Sequence, residues 1–353
     1  MSEHTLSSAR AVPRSRAEIL LPGVTEPAGL VYRSSEVQAP RAGRVLLRME
    51  STGVSFAEQQ MRRGRYYDQP AFPFVPGYDV VGTVVAVGSE VGAELIGGRF
   101  AAVTKTGAWA EIVDVDARAL MPVPIGADAG ELESIIVNGI TAWRMLHEVA
   151  RVESGGTILV LGANGGVGST LVQLAKAAGV HVVGTASSRH HDLLRELGAE
   201  PADYTDPALH DRLRTLAPQG FDAVFDHVGG AGIAQSWALV RRGGALVAYG
   251  TAAAKDDDRS IGRVFFALFT RLTIWNILPN GRRASFFDFW KGVKRPESFY
   301  PRIGAAFARV VELLESGVLH PQVAARFPLS DTVGALELAE SRTVAGKVVI
   351  VPA

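Results

Sequence analysis

Gly162-Ala-Asn-Gly-Gly-Val-Gly168 is the segment whose residue types say most about chemistry. It follows the apolar run Thr157-Ile-Leu-Val-Leu161 and precedes a helical pattern over Ser169 to Ala178. A phosphate group needs backbone N–H donors with no side chain in the way, at a helix N-terminus whose dipole favours negative charge. Within Ala163-x-Gly165-x-x-Gly168, Gly165 permits that approach and Gly168 lets helix and strand pack tightly. Ala163, Asn164, Gly165, Gly166, Val167 and Gly168 thus form a candidate cradle for a dinucleotide. The alternative is a glycine-rich turn with no ligand. The strand–turn–helix context, inside a long βα alternation, favours the cofactor.

Which dinucleotide is decided at the end of the next strand, Val180-His-Val-Val-Gly-Thr185. An NAD site wants Asp or Glu there to hold the ribose hydroxyls. This chain has Ala186, Ser187, Ser188, Arg189, His190 and His191, with no acid before Asp192. Hydroxyls and a guanidinium suit a 2′-phosphate, which a carboxylate would repel. Ser187 and Arg189 are therefore candidate NADPH contacts, and Tyr204 lies where a phenol reaches the same phosphate. A solvated Arg189 is the alternative reading.

These residues need strands and helices in a particular order to hold them. After Ser134 to Ala150, which carries apolar residues at helical spacing, strands alternate with helices through Asp192–Leu197, Ala223–Asp226, Ile233–Val240 and Ala245–Tyr249. Such alternation implies an α/β fold with a doubly wound parallel sheet. Earlier, Arg44–Ser51 and Val80–Gly88 read as β, broken by Gly and Pro at short intervals as in a compact barrel-like domain. Tyr300 to Ser316 reads as one more amphipathic helix. Arg326-Phe-Pro-Leu and Lys347-Val-Val-Ile-Val look like strands that return to the first domain.

The 353 residues suffice for two domains, and 47% hydrophobic against 20% charged residues is the balance of a compact protein. Zero net charge argues against a general electrostatic grip on nucleic acid or anionic membrane. The absence of cysteine excludes disulfides, thiolate zinc sites and a cysteine nucleophile. No histidine pair has metal-binding spacing, so no metal is expected. Met1 to Leu21 has scattered Arg and no apolar stretch typical of a secretory signal. The apolar segment Val264 to Leu278 is interrupted by Arg271 and too short to span a bilayer. A cytoplasmic location is the expectation.

Several segments together resemble the medium-chain dehydrogenase/reductase superfamily. They are Gly53-Val-Ser-Phe-Ala-Glu58, Arg63-Gly-Arg-Tyr66, Phe74-Val-Pro-Gly-Tyr-Asp79, Asp226-His-Val-Gly-Gly230, Arg242-Gly-Gly-Ala-Leu-Val-Ala-Tyr-Gly250 and Gly346-Lys-Val-Val349, with the glycine turn. The match is nearest the zinc-free quinone oxidoreductase branch and covers residues of about 30 to 352. It implies a GroES-like catalytic domain over 1–133 and 295–353, a Rossmann NADPH-binding domain over 134–294, and commonly a homodimer. Zinc-dependent relatives carry a Gly-His-Glu motif where this chain has Gly77, Tyr78 and Asp79.

The resemblance also supplies catalytic candidates. Tyr66 matches a position that in related enoyl reductases carries a proposed tyrosine acid, and Tyr67 beside it is a second candidate. Lining the pocket without acid–base work is the other reading of Tyr66. Ser55 and Glu58 replace the Asn and Asp common in the family's Asn-Phe-x-Asp stretch. Thr141 matches a residue near the nicotinamide. Asp226 and the Tyr249–Gly250 pair face the crevice by the switch-point rule, though Asp226 also reads as a turn former. The aromatics Phe265 to Trp275, Phe286, Phe287, Phe289 and Trp290 read as core or subunit interface, or as the wall of a cleft for an apolar acceptor. Arg282 and Arg283 read as a solvated loop or a contact for an anionic tail.

The function expected is NADPH-dependent reduction of a quinone or α,β-unsaturated carbonyl compound. The alternatives are an enoyl-thioester reductase of fatty-acid or polyketide type, and a low-turnover NADPH-binding protein with a structural or regulatory role.

Overall fold

A computed structural model describes residues 13–254 and 261–353. The lead-in expected at the start of the chain falls partly on residues 1–12, which lie outside the described residues. From Ser15 to Leu20 the chain forms a strand paired antiparallel with Val31–Glu36.

Six strands make one wholly parallel sheet, in the order Ala199–Asp203, His181–Ala186, Thr157–Leu161, Phe221–Asp226, Val240–Ala248, Arg283–Phe286. Ile158, Leu159 and Val160 are wholly buried, as a central strand covered on both faces requires. The chain winds outward from Thr157–Leu161 in one direction, then crosses back and continues in the other. This reversal opens a crevice beyond the carboxyl ends of Thr157–Leu161 and Phe221–Asp226. The glycine turn and Asp226–His227 sit at those two ends.

The GroES-like half is the second sheet. Its order is Val323–Pro328, Lys347–Val351, Arg44–Val54, Asp79–Val87, Arg99–Val103, Met121–Pro122, with Ile112–Asp116 also paired to Arg44–Val54. Lys347–Val351 is wedged between Val323–Pro328, to which it is parallel, and Arg44–Val54, to which it is antiparallel. Early and late parts of the chain thus share one sheet.

The helical stretch expected over Ser134–Ala150 is broken in three. Ala129–Ile135 and Val137–Trp143 are α-helices separated by Ile136, and Arg144–Ala150 is a π-helical turn. These segments lie between the sheets, and one apolar core joins them: Ile135, Ile140 and Leu146 pack with Val81 on one side and Ile158 and Leu171 on the other. Each fully buried aliphatic side chain contributes about 1.5–3 kcal/mol relative to exposure. The apolar segment Val264–Leu278 lies, but for Leu278, in a helix, Ile261–Ile277, which buries Val264, Leu268 and Leu272 at four-residue spacing. Among the described residues no helix is long and apolar enough to cross a membrane.

Candidate active site

A cleft of about 1010 Å³ runs between the two sheets. Ser55, Tyr66, Thr141, Asn164, Gly165, Gly166, Val167, Gly168, Ser187, Tyr204 and Gly250 all line it. Of the residues expected at the cofactor, two do not: Ala163 lies beneath the turn, packed against Gly184, and Arg189 lies on the outer rim.

At the glycine turn, the helix Gly166–Ala177 has Gly165 as its N-cap, so no side chain caps its first amides. Those amides lack intrahelical partners by geometry and are available to an anion. The glycines differ in why they are glycine. A Cβ on Gly168 would sit 2.4 Å from the Gly162 oxygen and 2.8 Å from the Ala163 Cα, so Gly168 is required by packing. A Cβ on Gly165 would meet only the Gly162 oxygen at 3.4 Å, an ordinary contact. Nothing in the protein forbids a side chain at Gly165, which leaves that space open to a ligand. The turn is also held from outside: the Gly346 amide donates to the Asn164 oxygen at 3.0 Å.

At the end of the next strand, Arg189 donates from Nε to the Ser187 hydroxyl at 3.1 Å and from Nη2 to the Arg342 carbonyl at 3.5 Å. The arginine lining the cleft here is Arg342, which follows the helix Thr332–Ser341 in a left-handed conformation with φ 59°. His190 lines the same end, its imidazole pulled down by burial and by Arg189. Arg342 escaped the sequence reading because it comes from the other end of the chain, and only the wedged last strand brings it alongside Ser187.

At the crevice, Asp226 is a turn former: its carboxylate accepts from the amides of Val228 and Gly229 at 2.8 Å and from the Ser236 hydroxyl at 2.7 Å. Next to it, His227 places Nδ1 2.9 Å from the Leu161 carbonyl. A carbonyl only accepts, so Nδ1 carries the proton and Nε2 a lone pair. Burial lowers its pKa, keeping it neutral. The Gly162 position is filled by this ring, since a Cβ there would lie 2.3 Å from the imidazole. The switch-point rule locates His227, but its neighbours obscured it as part of a turn.

At the opposite wall, Tyr66 and Tyr78 are buried with their hydroxyls 2.7 Å apart, and the Trp290 indole N–H donates to Tyr78. Burial pushes the Tyr66 phenol up to about 12 despite the Tyr78 hydrogen bond, which pulls the other way. Tyr67 is half exposed and donates to Asp288 at 2.7 Å. Ser55 caps the helix Phe56–Arg62, accepting from the Ala57 amide, while the buried Glu58 carboxyl accepts from both the Ser55 amide and its hydroxyl. Burial raises the pKa of Glu58. The hydroxyl of Ser55 is therefore occupied in positioning this helix. Phe265, Phe286, Phe287 and Phe289 wall the cleft, while Trp275 stacks on Trp237 away from it. Arg282 donates to the Trp237 carbonyl and Arg283 to that of Ala150, and neither lines the cleft.

Comparison with known proteins agrees with this geometry. Residues 41–125 match the family described as "Alcohol dehydrogenase GroES-like domain" and residues 166–291 the one described as "Zinc-binding dehydrogenase". The human synaptic vesicle membrane protein VAT-1 homolog is 30% identical, over 92% of this chain and 82% of its own length. A mycobacterial protein solved in complex with NADPH is 28% identical, with a TM-score of 0.81, over 96% of this chain and 100% of that one. A quinone oxidoreductase from Pseudomonas syringae pv. Tomato is 25% identical, with a TM-score of 0.83 and the same coverages.

The chain belongs to the quinone oxidoreductase-like branch of the medium-chain dehydrogenase/reductase superfamily. Among the described residues, this quinone oxidoreductase-like protein has no cluster that fits the zinc named in one family description. Cysteine is absent. Tyr78 is committed to Tyr66 and Trp290, and the Asp79 carboxylate to the Lys347 ammonium at 3.2 Å and the Val137 amide at 3.2 Å. Zinc sites in proteins use three or four Cys, His or carboxylate ligands around one point. Instead, a buried ion group stands behind Tyr78, in which Lys347 also meets Glu133 at 2.6 Å.

Proposed function

We propose that this chain is an NADPH-dependent, zinc-independent reductase acting on a quinone or an α,β-unsaturated carbonyl compound. The observation that carries the reading is the buried, protonated Tyr66 hydroxyl on the wall of the same cleft as an open, uncapped glycine turn. When bound, NADPH supplies the hydride. The chain's own part is to orient the two reactants, exclude water with the aromatic wall and offer a proton where negative charge develops on the acceptor oxygen. Asn164 to Gly168 hold the pyrophosphate in this reading, Thr141 and Gly250 border the nicotinamide, and Ser55 fixes the helix that leads to Tyr66. Ala163 supports the turn from below. A conjugated acceptor needs only one such donor, which suits a site with a phenol in place of a metal.

The test is NADPH oxidation followed by absorbance with a naphthoquinone, a cyclic enone and a crotonyl thioester. Turnover of the first two supports the reading. Activity confined to the thioester replaces it with enoyl-thioester reduction, and clear NADPH binding without turnover of any acceptor replaces it with a binding role. The relative solved with NADPH supports the choice of cofactor.

The 2′-phosphate is assigned to Ser187, Tyr204 and the arginines Arg189 and Arg342. A hydrogen bond to a charged group contributes about 1.5–3 kcal/mol, so Arg342→Ala and Arg189→Ala are each expected to raise the NADPH Kd by about 10- to 150-fold. Isothermal titration should show NADH affinity unchanged. An equal loss for both nucleotides removes that arginine from the phosphate. The glycines give a second contrast. Gly165→Ala should leave the melting temperature nearly unchanged and weaken NADPH, because its Cβ intrudes only on the ligand. Gly168→Ala should lower the melting temperature itself.

A homodimer and a cytoplasmic location complete the proposal. The homodimer would cover part of the Ile261–Ile277 helix, where Phe266 and Ile277 are 75% and 77% exposed. Analytical ultracentrifugation measures the first.

A further inference from the structure

The Trp290–Tyr78–Tyr66 chain carries an inference about direction. An indole N–H is a donor only, so Trp290 must donate to the Tyr78 oxygen. Tyr78 has one other partner, the Tyr66 hydroxyl at 2.7 Å. If Tyr66 donated to Tyr78 as well, the buried Tyr78 would accept twice and its own proton would have no acceptor, which buried hydroxyls avoid. The arrangement that satisfies all three groups runs one way: Trp290 to Tyr78, Tyr78 to Tyr66. The Tyr66 proton is then left over, and Tyr66 lines the cleft.

We propose that Tyr78, oriented by the Trp290 indole, is a positioning residue that donates to the Tyr66 oxygen and so turns the Tyr66 proton toward the acceptor. The inference rests on the reductase reading above and deepens it. As the acceptor's β-carbon gains the hydride that bound NADPH would supply by breaking a C–H bond of its nicotinamide ring, the C=C pair shifts toward the carbonyl carbon and the carbonyl pair moves to the oxygen. The Tyr66 O–H bond breaks and an O–H bond forms on the acceptor. Tyr66 is left as a phenolate, which Tyr78 stabilises through the hydrogen bond it already donates. Tyr78 keeps its own proton throughout, and Tyr66 recovers one from water once the product leaves the open cleft. The charges that reach Tyr66 are those of Asp288 and Glu58, while Tyr67 reaches it as a hydrogen-bonding neighbour whose own proton is given to Asp288.

The experiment uses the full chain, NADPH and whichever quinone or enone the wild type reduces. Tyr78→Phe keeps the ring and removes the hydroxyl. Its kcat should fall about 10- to 100-fold, the scale of one hydrogen bond to a developing charge, with the KM for NADPH unchanged. The solvent deuterium isotope effect on kcat should increase, because proton donation becomes more limiting. Trp290→Phe, which frees Tyr78 to accept from Tyr66, should give a smaller loss of the same kind. The double variant Tyr66→Phe/Tyr78→Phe should be no slower than Tyr66→Phe alone within about twofold. Circular dichroism and the NADPH KM report whether each variant is folded. A Tyr78→Phe enzyme at wild-type rate, an unchanged isotope effect, or a further loss in the double variant overturns the inference while leaving the reductase reading standing. A wild type that turns over no acceptor removes that reading, and this inference with it.

Discussion

Tyr66→Phe is expected to lower kcat by about 100- to 1,000-fold with little change in the NADPH KM, a loss of about 2.7–4 kcal/mol in transition-state stabilisation. The ring stays in its buried site, so the aromatic contacts with Tyr67 and Tyr78 persist and only the proton is lost. Steady-state kinetics with the best acceptor measures it, and a rate within about twofold of wild type, under 0.5 kcal/mol, would show that Tyr66 is not the acid. The pH profile sharpens the expectation. Burial is the largest influence on Tyr66 and pushes it up to about 12, so the phenol keeps its proton far into the alkaline range. Between about pH 6 and 10, kcat should therefore show no alkaline limb from Tyr66. A limb near neutrality that disappears in Tyr66→Phe would contradict that placement.

Lys347→Met carries the largest expected loss of stability, about 3–5 kcal/mol, because it leaves carboxyl groups buried with their cation gone. Lys347 touches Asp79 and Glu133, all three nearly or wholly buried. Burial pulls the Lys347 pKa down, but Asp79 and Glu133 outweigh it and hold the ammonium above its ordinary value. Burial raises Glu133 well above the carboxylate range, with Lys347 opposing and Asp79 adding to the rise. A carboxyl whose folded pKa is raised favours the folded state below its unfolded pKa and loses that contribution as pH climbs through the folded value. Without Lys347 the rise in Glu133 is larger and this loss steeper. The destabilisation of Lys347→Met should thus be greater at about pH 8 than at about pH 5.5, read by urea unfolding at each pH. A loss below about 1 kcal/mol, or one that shrinks as pH rises, would show that the group does not carry its charge as described.

The parts of this fold that were legible in the sequence are those with local causes. Thr157–Leu161 reads as a central strand because it is apolar on both faces, and the glycine turn because only glycine fits at Gly168. Ala199–Asp203 and Arg283–Phe286 did not stand out. Both lie at sheet edges, where one side needs no strand partner and residues such as Glu200, Pro201 and Arg283 are tolerated. The helix at Ser134 was legible in its periodicity but not in its break at Ile136, which is set by packing between two sheets. In the candidate site, Tyr66 and the turn were found from motifs. Arg342 and the Trp290 partner of Tyr78 were missed because their neighbours are remote in sequence, whereas His227 was obscured by the turn formers beside it. Trp290 is 212 positions from Tyr78, and Arg342 is 153 from Arg189.

The strand Lys347–Val351, fitted between Arg44–Val54 and Val323–Pro328, sets an order of assembly. A ribosome can release the whole parallel sheet, residues 157–286, while the mixed sheet still lacks this strand. Contacts of such separation form late, because their loop-closure entropy must be met first. The same segment delivers the Gly346 amide to Asn164 and Lys347 to Asp79 and Glu133. The chain therefore acquires the sheet under its dinucleotide crevice before Lys347–Val351 completes the walls. A nucleotide that grips the turn would also hold this strand through Gly346, so cofactor supply should govern how much of this protein reaches its folded state.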